Sequence, residues 1–204
     1  MERLGLSTLD CGRYVVANNP GVSYVFYRKY IYIPQQPSLN TEERTSISRD
    51  NFLNGFDPYT LISADDEKSN IALDSTVQLS NDDEAYFLMM DLQPSKSAEN
   101  QRLIEARLRD QVTPYFGGGF LLESSNSYQY FGERIADNKG WLDFIGRSLL
   151  LSIVTTDSAS DSKRFVEIPD TRYIGHSILR RSTGLRITTR DTKSFNPRSI
   201  AYIC

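Results

Sequence analysis

The stretch that most constrains this chain is residues 120–132, FLLESSNSYQYFG. Two short apolar and aromatic runs, 120–122 and 128–131, flank the polar tetrad Ser124-Ser125-Asn126-Ser127. Strand-forming residues on both sides of a turn-forming cluster predict a β-hairpin. Alternation along the second arm sets Ser127, Gln129 and Phe131 on one face and Tyr128 and Tyr130 on the other. A hydroxyl and an amide on one strand face beside a turn make a candidate ligand-holding surface. A hairpin with one solvated face shows the same alternation.

The rest of the chain supplies partners for this hairpin. Residues 14–16, 23–27 and 30–33 are rich in Val, Tyr, Phe and Ile and predict strands joined by tight turns. Pro34 and Pro37 end that segment, and the polar residues 35–70 predict a surface insertion with one short helix near 41–53. Residues 71–79 predict a further strand, followed by an acidic turn at 81–84. The run Tyr86-Phe87-Leu88-Met89-Met90 has no polar face, which fits a central strand covered on both sides. It ends at Asp91. A carboxylate at the open end of a rigid strand is well placed for chemistry, and it equally well starts a turn toward Pro94.

Ser97 is the expected N-cap of a helix within 95–112, with Leu103, Ile104, Leu108 and Val112 as its apolar stripe. Gly117, Gly118 and Gly119 precede a strand rather than a helix, so they form a strand lead-in and not a phosphate loop. Residues 138–153 predict a second amphipathic helix, with Trp141, Phe144, Ile145 and Leu149 inward. A short strand at 165–168 ends in Pro169-Asp170, and a helix over 171–181 places His176 and Arg180 on one face. Strands at 185–188 and 199–203 close the chain. The sum is an α/β (α+β) fold over 1–204 as one domain. Its central, mostly antiparallel sheet is flanked by the helices within 97–112 and 138–153.

Composition narrows the function classes. The chain's 204 residues are 39% hydrophobic and 24% charged, as in ordinary globular domains. No apolar run approaches the roughly 20 residues that span a bilayer, so no membrane role is expected. Cys11 and Cys204 are the only cysteines, which argues against a disulfide framework and favours a reducing, cytoplasmic setting. The single histidine, His176, argues against a zinc site. Net charge is −3, yet residues 163–204 hold nine Lys/Arg against three Asp/Glu, a local balance of +6. A basic final fifth on an acidic body points to a phosphate-facing patch.

Polar residues thus stand at strand ends in the order Asp91, then Ser127 with Gln129, then Asp170, followed by Arg172, His176, Arg180, Arg181, Arg186 and Arg190. Two carboxylates for a divalent cation and several guanidinium groups for phosphates are the parts that phosphoryl or nucleotidyl transfer needs. The segments FLMMDLQ, SSNSYQYF, VEIPD and RYIGHSILRRSTGLRIT, within residues 86–190, resemble the motifs of the archaeo-eukaryotic primase (primase-polymerase) superfamily. That superfamily carries an apolar strand ending in Asp-x-Asp, then Ser-x-His in a hairpin strand, then an apolar residue followed by Asp. Here Gln93 replaces the second acid and Gln129 replaces the histidine, so the chain looks like a divergent, one-aspartate member.

The resemblance implies Asp91 and Asp170 as catalytic residues and ligands of Mg²⁺ or Mn²⁺. It implies Ser127, Gln129, Arg172, His176, Arg180, Arg181 and Arg186 as nucleotide- or phosphate-binding residues. The expected partner is a nucleotide or nucleic acid, in DNA replication or repair, with protein partners also open. Three readings stand: a metal-dependent nucleotidyltransferase, a catalytically inactive nucleic-acid- or protein-binding module on the same fold, or a structural or interaction protein in which the motif match is accidental.

Overall fold

A computed structural model describes residues 4–31, 42–62, 69–157, 162–187 and 197–204. Its first element corrects a sequence expectation. Residues 14–16 lie not in a strand but in helix α1, Thr8–Ala17. Ser7 and Asp10 close a reciprocal capping box over its first turn, and Cys11, Val15 and Val16 recur at helical spacing on its buried face. The β-branched pair Val15-Val16 reads as strand only if that cap is overlooked.

Among the described residues ten strands follow: β1 (Val22–Ile31), β2 (Glu42–Ser48), β3 (Ser69–Leu79), β4 (Glu84–Leu92), β5 (Gly119–Glu123), β6 (Tyr128–Ala136), β7 (Ile153–Asp157), β8 (Ser162–Val166), β9 (Gly184–Arg186) and β10 (Arg198–Ile203). The main sheet runs β10-β5-β6-β4-β3-β1-β2, with β9 also paired to β3. Every pairing between named strands is antiparallel. Strands β7 and β8 form a separate two-stranded ribbon.

The described part of 35–70 is therefore more than a surface insertion. Strand β2 completes the sheet edge, helix α2 (Arg49–Leu53) follows it, and Phe52 is fully buried. Strand β2, EERTSIS, has one strand neighbour among the described residues and a largely exposed surface, so no apolar alternation marks it in the sequence.

Two cores lie on the two faces of the sheet. One face, with Val25, Leu73, Phe87, Met89 and Phe131, is covered by Cys11, Val15 and Val16 of α1 and by Phe52 of α2. The other, with Leu88, Met90, Leu92, Tyr128 and Tyr130, is covered by α3 (Ala98–Gln111), α5 (Asn138–Ser148) and α6 (Thr171–Arg180). A short α4, Thr113–Phe116, links α3 to β5. Strand β4 is the central, doubly covered strand that its unbroken apolar run requires. Helix α5 stops at Ser148, a 3-10 turn spans Leu149–Leu151, and the chain becomes strand at Ile153. The expected helix to residue 153 is corrected there.

The predicted hairpin is present, with Phe120 opposite Phe131 and Leu122 opposite Gln129. Ser124 N–H donates to Ser127 O at 2.9 Å and closes the turn.

Candidate functional site

Strands β3 and β4 pair over only three residues, Thr76 to Gln78 against Tyr86 to Glu84, and then part. Beyond that point β3 pairs with β9 along Ala72 to Asp74. On β4, the segment leading to Asp170 takes the vacated edge. Gln93 N–H donates to Ile168 O at 2.8 Å and Asp170 N–H donates to Asp91 O at 3.0 Å, with Leu92 bridged to Pro169. Helix α6 then crosses from the β4 side to the β3 side, where Ser75 N–H donates to Thr183 O at 2.9 Å. The sheet forks, and the candidate site stands at the fork.

This register sets Asp91 opposite Gln129 on one side and opposite Asp170 on the other. Cβ atoms of directly opposed residues stand about 4.5–5.5 Å apart. Three polar residues from three separate stretches of sequence thus make one row. Asp170 has a second task. Its Oδ1 accepts from Arg172 N–H at 2.9 Å and Tyr173 N–H at 3.1 Å and so caps α6. Its Oδ2 faces neither of these donors. Gln129 is buried, and its Oε1 has no hydrogen-bond partner, an unusual state for a sealed amide.

Tyr173 is the site residue that sequence reading missed. Its ring packs against both cores, and its hydroxyl donates to Gly184 O at 3.3 Å. Burial, reinforced by the nearby negative charge of Asp91, pushes its hydroxyl far above the ordinary tyrosine range. Tyr173 therefore stays neutral, its backbone N–H on Asp170 and its hydroxyl on β9. Its only sequence signal is its place three residues after Asp170.

The other predicted residues are spread along α6 and around it. Arg172 is exposed in the first turn, beside Asp170, and His176 is half-buried one turn further on. Arg180 ends the helix, ten residues and about 15 Å along the axis from Asp170. It pairs with Glu42 at 3.0 Å, an acidic residue on β2. Arg181 is the exposed left-handed C-cap, with φ 57°. Arg186 lies half-buried on β9. Ser127 stays in the hairpin turn, its Oγ 3.1 Å from Ser124 Oγ. Arg190 lies outside the described residues.

A second charged group, invisible in the sequence, braces the fork from the β1–β2 side. Asp74 is fully buried and takes Arg28 Nε at 2.6 Å and Arg44 Nε at 3.3 Å. Arg28 also reaches Glu42 at 3.0 Å and donates to Ser182 Oγ just after α6. Burial would lower the Arg28 pKa, but the charges of Asp74 and Glu42 outweigh it and raise that pKa.

An antiparallel sheet with helices on both faces and aspartates meeting at a strand fork defines an α+β protein with an acidic central site and a basic helix beside it. A family model for archaeo-eukaryotic primase 1D-like (AEP-like) domains matches residues 59–197, more than half of the chain. The chain belongs to this family. No curated protein and no solved structure matches it. The matched segment begins after β2, so β1 and β2 stand outside it although they complete the same sheet. Among the described residues no helix is long and apolar enough to cross a membrane.

Proposed function

We propose that this domain binds the phosphates of a nucleotide or nucleic acid at the sheet fork, with Asp91 and Asp170 as ligands of Mg²⁺ or Mn²⁺. The observation that supports this reading is the backbone hydrogen bond from Asp170 to Asp91, which sets two aspartates from distant parts of the chain on neighbouring segments. Family membership supports the nucleotide or nucleic-acid class. The donor set fits a hard cation, which takes oxygen ligands and commonly rests on one or two carboxylates plus waters and substrate phosphates. Among the described residues no cluster of three His, Cys, Asp or Glu forms, so phosphate oxygens would complete the coordination. Held by Asp91 and Asp170, such a cation would supply positive charge that offsets the charge of the phosphates.

Arg172 and His176 lie in the first two turns of the helix that Asp170 caps and would take phosphate charge there. Arg181 and Arg186 extend the basic surface, and Arg180 joins it when it leaves Glu42. Gln129 offers an amide to the same cleft in place of a charged group. Gln93 leaves the first motif with one carboxylate, so nucleotidyl transfer would be slow, with a binding-only domain as the second reading.

A binding titration with labelled oligonucleotide and with nucleoside triphosphate, at several salt concentrations and with Mn²⁺ present or chelated, tests this. Affinity should fall steeply with salt, because neutralised phosphates release counterions. Asp91→Asn should weaken the Mn²⁺-dependent part of triphosphate binding and remove any primer extension. Binding that ignores both salt and Mn²⁺ would overturn the reading.

A further inference from the structure

The β7–β8 ribbon stands apart from the main sheet and has an unusual outer face. Val154 and Phe165 are cross-strand partners, and they are 62% and 64% exposed. Directly opposed residues share a face, so the ring and the isopropyl group form one apolar platform. Lys163, two positions before Phe165, is exposed and shares that face by alternation. Val166 points the other way and packs into the core under α6, which anchors the ribbon by its inner face. An exposed phenylalanine on an anchored two-stranded ribbon gains nothing for the fold.

We infer that this outer face is a stacking platform for single-stranded nucleic acid leaving the fork, with Phe165 under a base and Lys163 on a phosphate. The inference rests on the proposed function and adds a second contact point to it. Two observations favour nucleic acid over a protein partner. First, the ribbon is continuous with the site: β8 runs through Glu167 into the segment that hydrogen-bonds to β4 beside Asp91. Phe165 is five residues from Asp170, at most about 17 Å of extended chain. A strand held at the fork therefore reaches the ribbon within a few nucleotides. Second, the exposed cation Lys163 lies two positions from the ring, within reach of a phosphate beside a stacked base, while the Glu167 carboxylate at the other end of that face accepts from the Thr171 hydroxyl at 2.5 Å. Aromatic side chains beside cations bind single strands without sequence preference, because every base offers a π-face.

The test is fluorescence anisotropy of labelled single-stranded oligonucleotides, 4 to about 20 residues long, on the full chain and its Phe165→Ala, Phe165→Trp and Lys163→Ala variants. Phe165 is exposed, so melting temperatures should match the parent. Phe165→Ala should lower affinity for the longer oligonucleotides by about 5- to 150-fold, the range of one lost base stack. Phe165→Trp should retain it. Lys163→Ala should flatten the log–log salt slope by about 0.7, one single-strand phosphate contact. Nucleoside triphosphate affinity should stay unchanged in all three. If the parent binds long oligonucleotides and Phe165→Ala binds them equally well, the platform is overturned while the fork reading stands. If Phe165→Ala alters only self-association in sedimentation, the face is a protein contact and the inference fails. If the parent binds neither oligonucleotide nor triphosphate, both readings fail together.

Discussion

Asp170 does two things that one pair of substitutions separates. Its Oδ1 caps α6 through the Arg172 and Tyr173 N–H groups, and its negative charge lies opposite Asp91 at the fork. Asp170→Ala removes both. Loss of a side-chain N-cap costs about 0.5–2 kcal/mol. For a chain of this size each kcal/mol lowers Tm by about 2–4 °C, so Ala should melt about 1–8 °C below the parent. Asp170→Asn keeps the acceptor oxygen, since Asn caps helices about as well as Asp. It loses the charge at the helix N-terminus, worth about 0.3–1 kcal/mol. Asn should therefore melt between the parent and Ala.

The cation site should respond differently. One unit of charge at about 4 Å contributes about 1–4 kcal/mol per unit of cation charge at the dielectric of a partly open site. For doubly charged Mn²⁺ that is at least about 2 kcal/mol, so its affinity should fall at least about 30-fold in Asn and Ala alike. Differential scanning calorimetry gives the first quantity, and Mn²⁺ titration followed by electron paramagnetic resonance gives the second. Asn melting as low as Ala while binding Mn²⁺ as the parent does would refute both halves, since it would make Asp170 a structural charge and nothing else.

Three further outcomes are expected. Asp74→Ala takes the buried carboxylate from the half-buried Arg28, leaving it Glu42 and the Ser182 hydroxyl, and should cost about 3–5 kcal/mol in urea unfolding, with part of the loss recovered in Asp74→Ala/Arg28→Met; no recovery would show that packing rather than the undercompensated charge dominates. Gly119→Ala would drive a Cβ into the Tyr130 hydroxyl and place it 2.7 Å from Phe131 O, an overlap expected to cost about 1–3 kcal/mol or more, and a Tm equal to the parent's would contradict it. Asp10 is pulled below its ordinary pKa of 3.8 because the Ser7 hydrogen bonds and the Arg13 and Arg198 charges outweigh its partial burial. The unfolded chain then binds this proton more readily than the native one, so the contribution is present above about pH 4 and fades as pH falls through the lowered native value. Asp10→Asn should lessen the acid-limb loss of stability, and identical acid limbs in parent and variant would exclude this account.

Local chemistry wrote much of the fold into the sequence. The hairpin at 119–136 is carried by a polar tetrad between apolar runs, and the central strand β4 by five consecutive apolar residues. Helix α3 begins where Ser97 accepts from Asn100 N–H at 3.0 Å, and α6 begins at Asp170. Each of these signals lies within a few residues of what it specifies. The order of Asp91, Gln129 and Asp170 was legible for the same reason: each ends or opens an element whose own residues define it.

What the sequence left open depends on contacts between distant residues. Strand β2 has few apolar residues to betray it, and it is a strand because β1 offers it an edge. Strand β8 lies in a ribbon rather than in the main sheet because β7, released by the short 3-10 turn after α5, takes it as partner. Arg180 is tied to Glu42, and Arg28 to Asp74, by charges brought together only after β1, β2 and β3 are paired. The row of Asp91, Gln129 and Asp170 exists only because β3 and β4 part and the Asp170 segment fills the gap. Periodicity and capping act over one or two turns of chain. A fork in a sheet is decided by which backbone donors and acceptors remain unpaired once every strand has found its neighbours, and that is a property of the assembled tertiary structure.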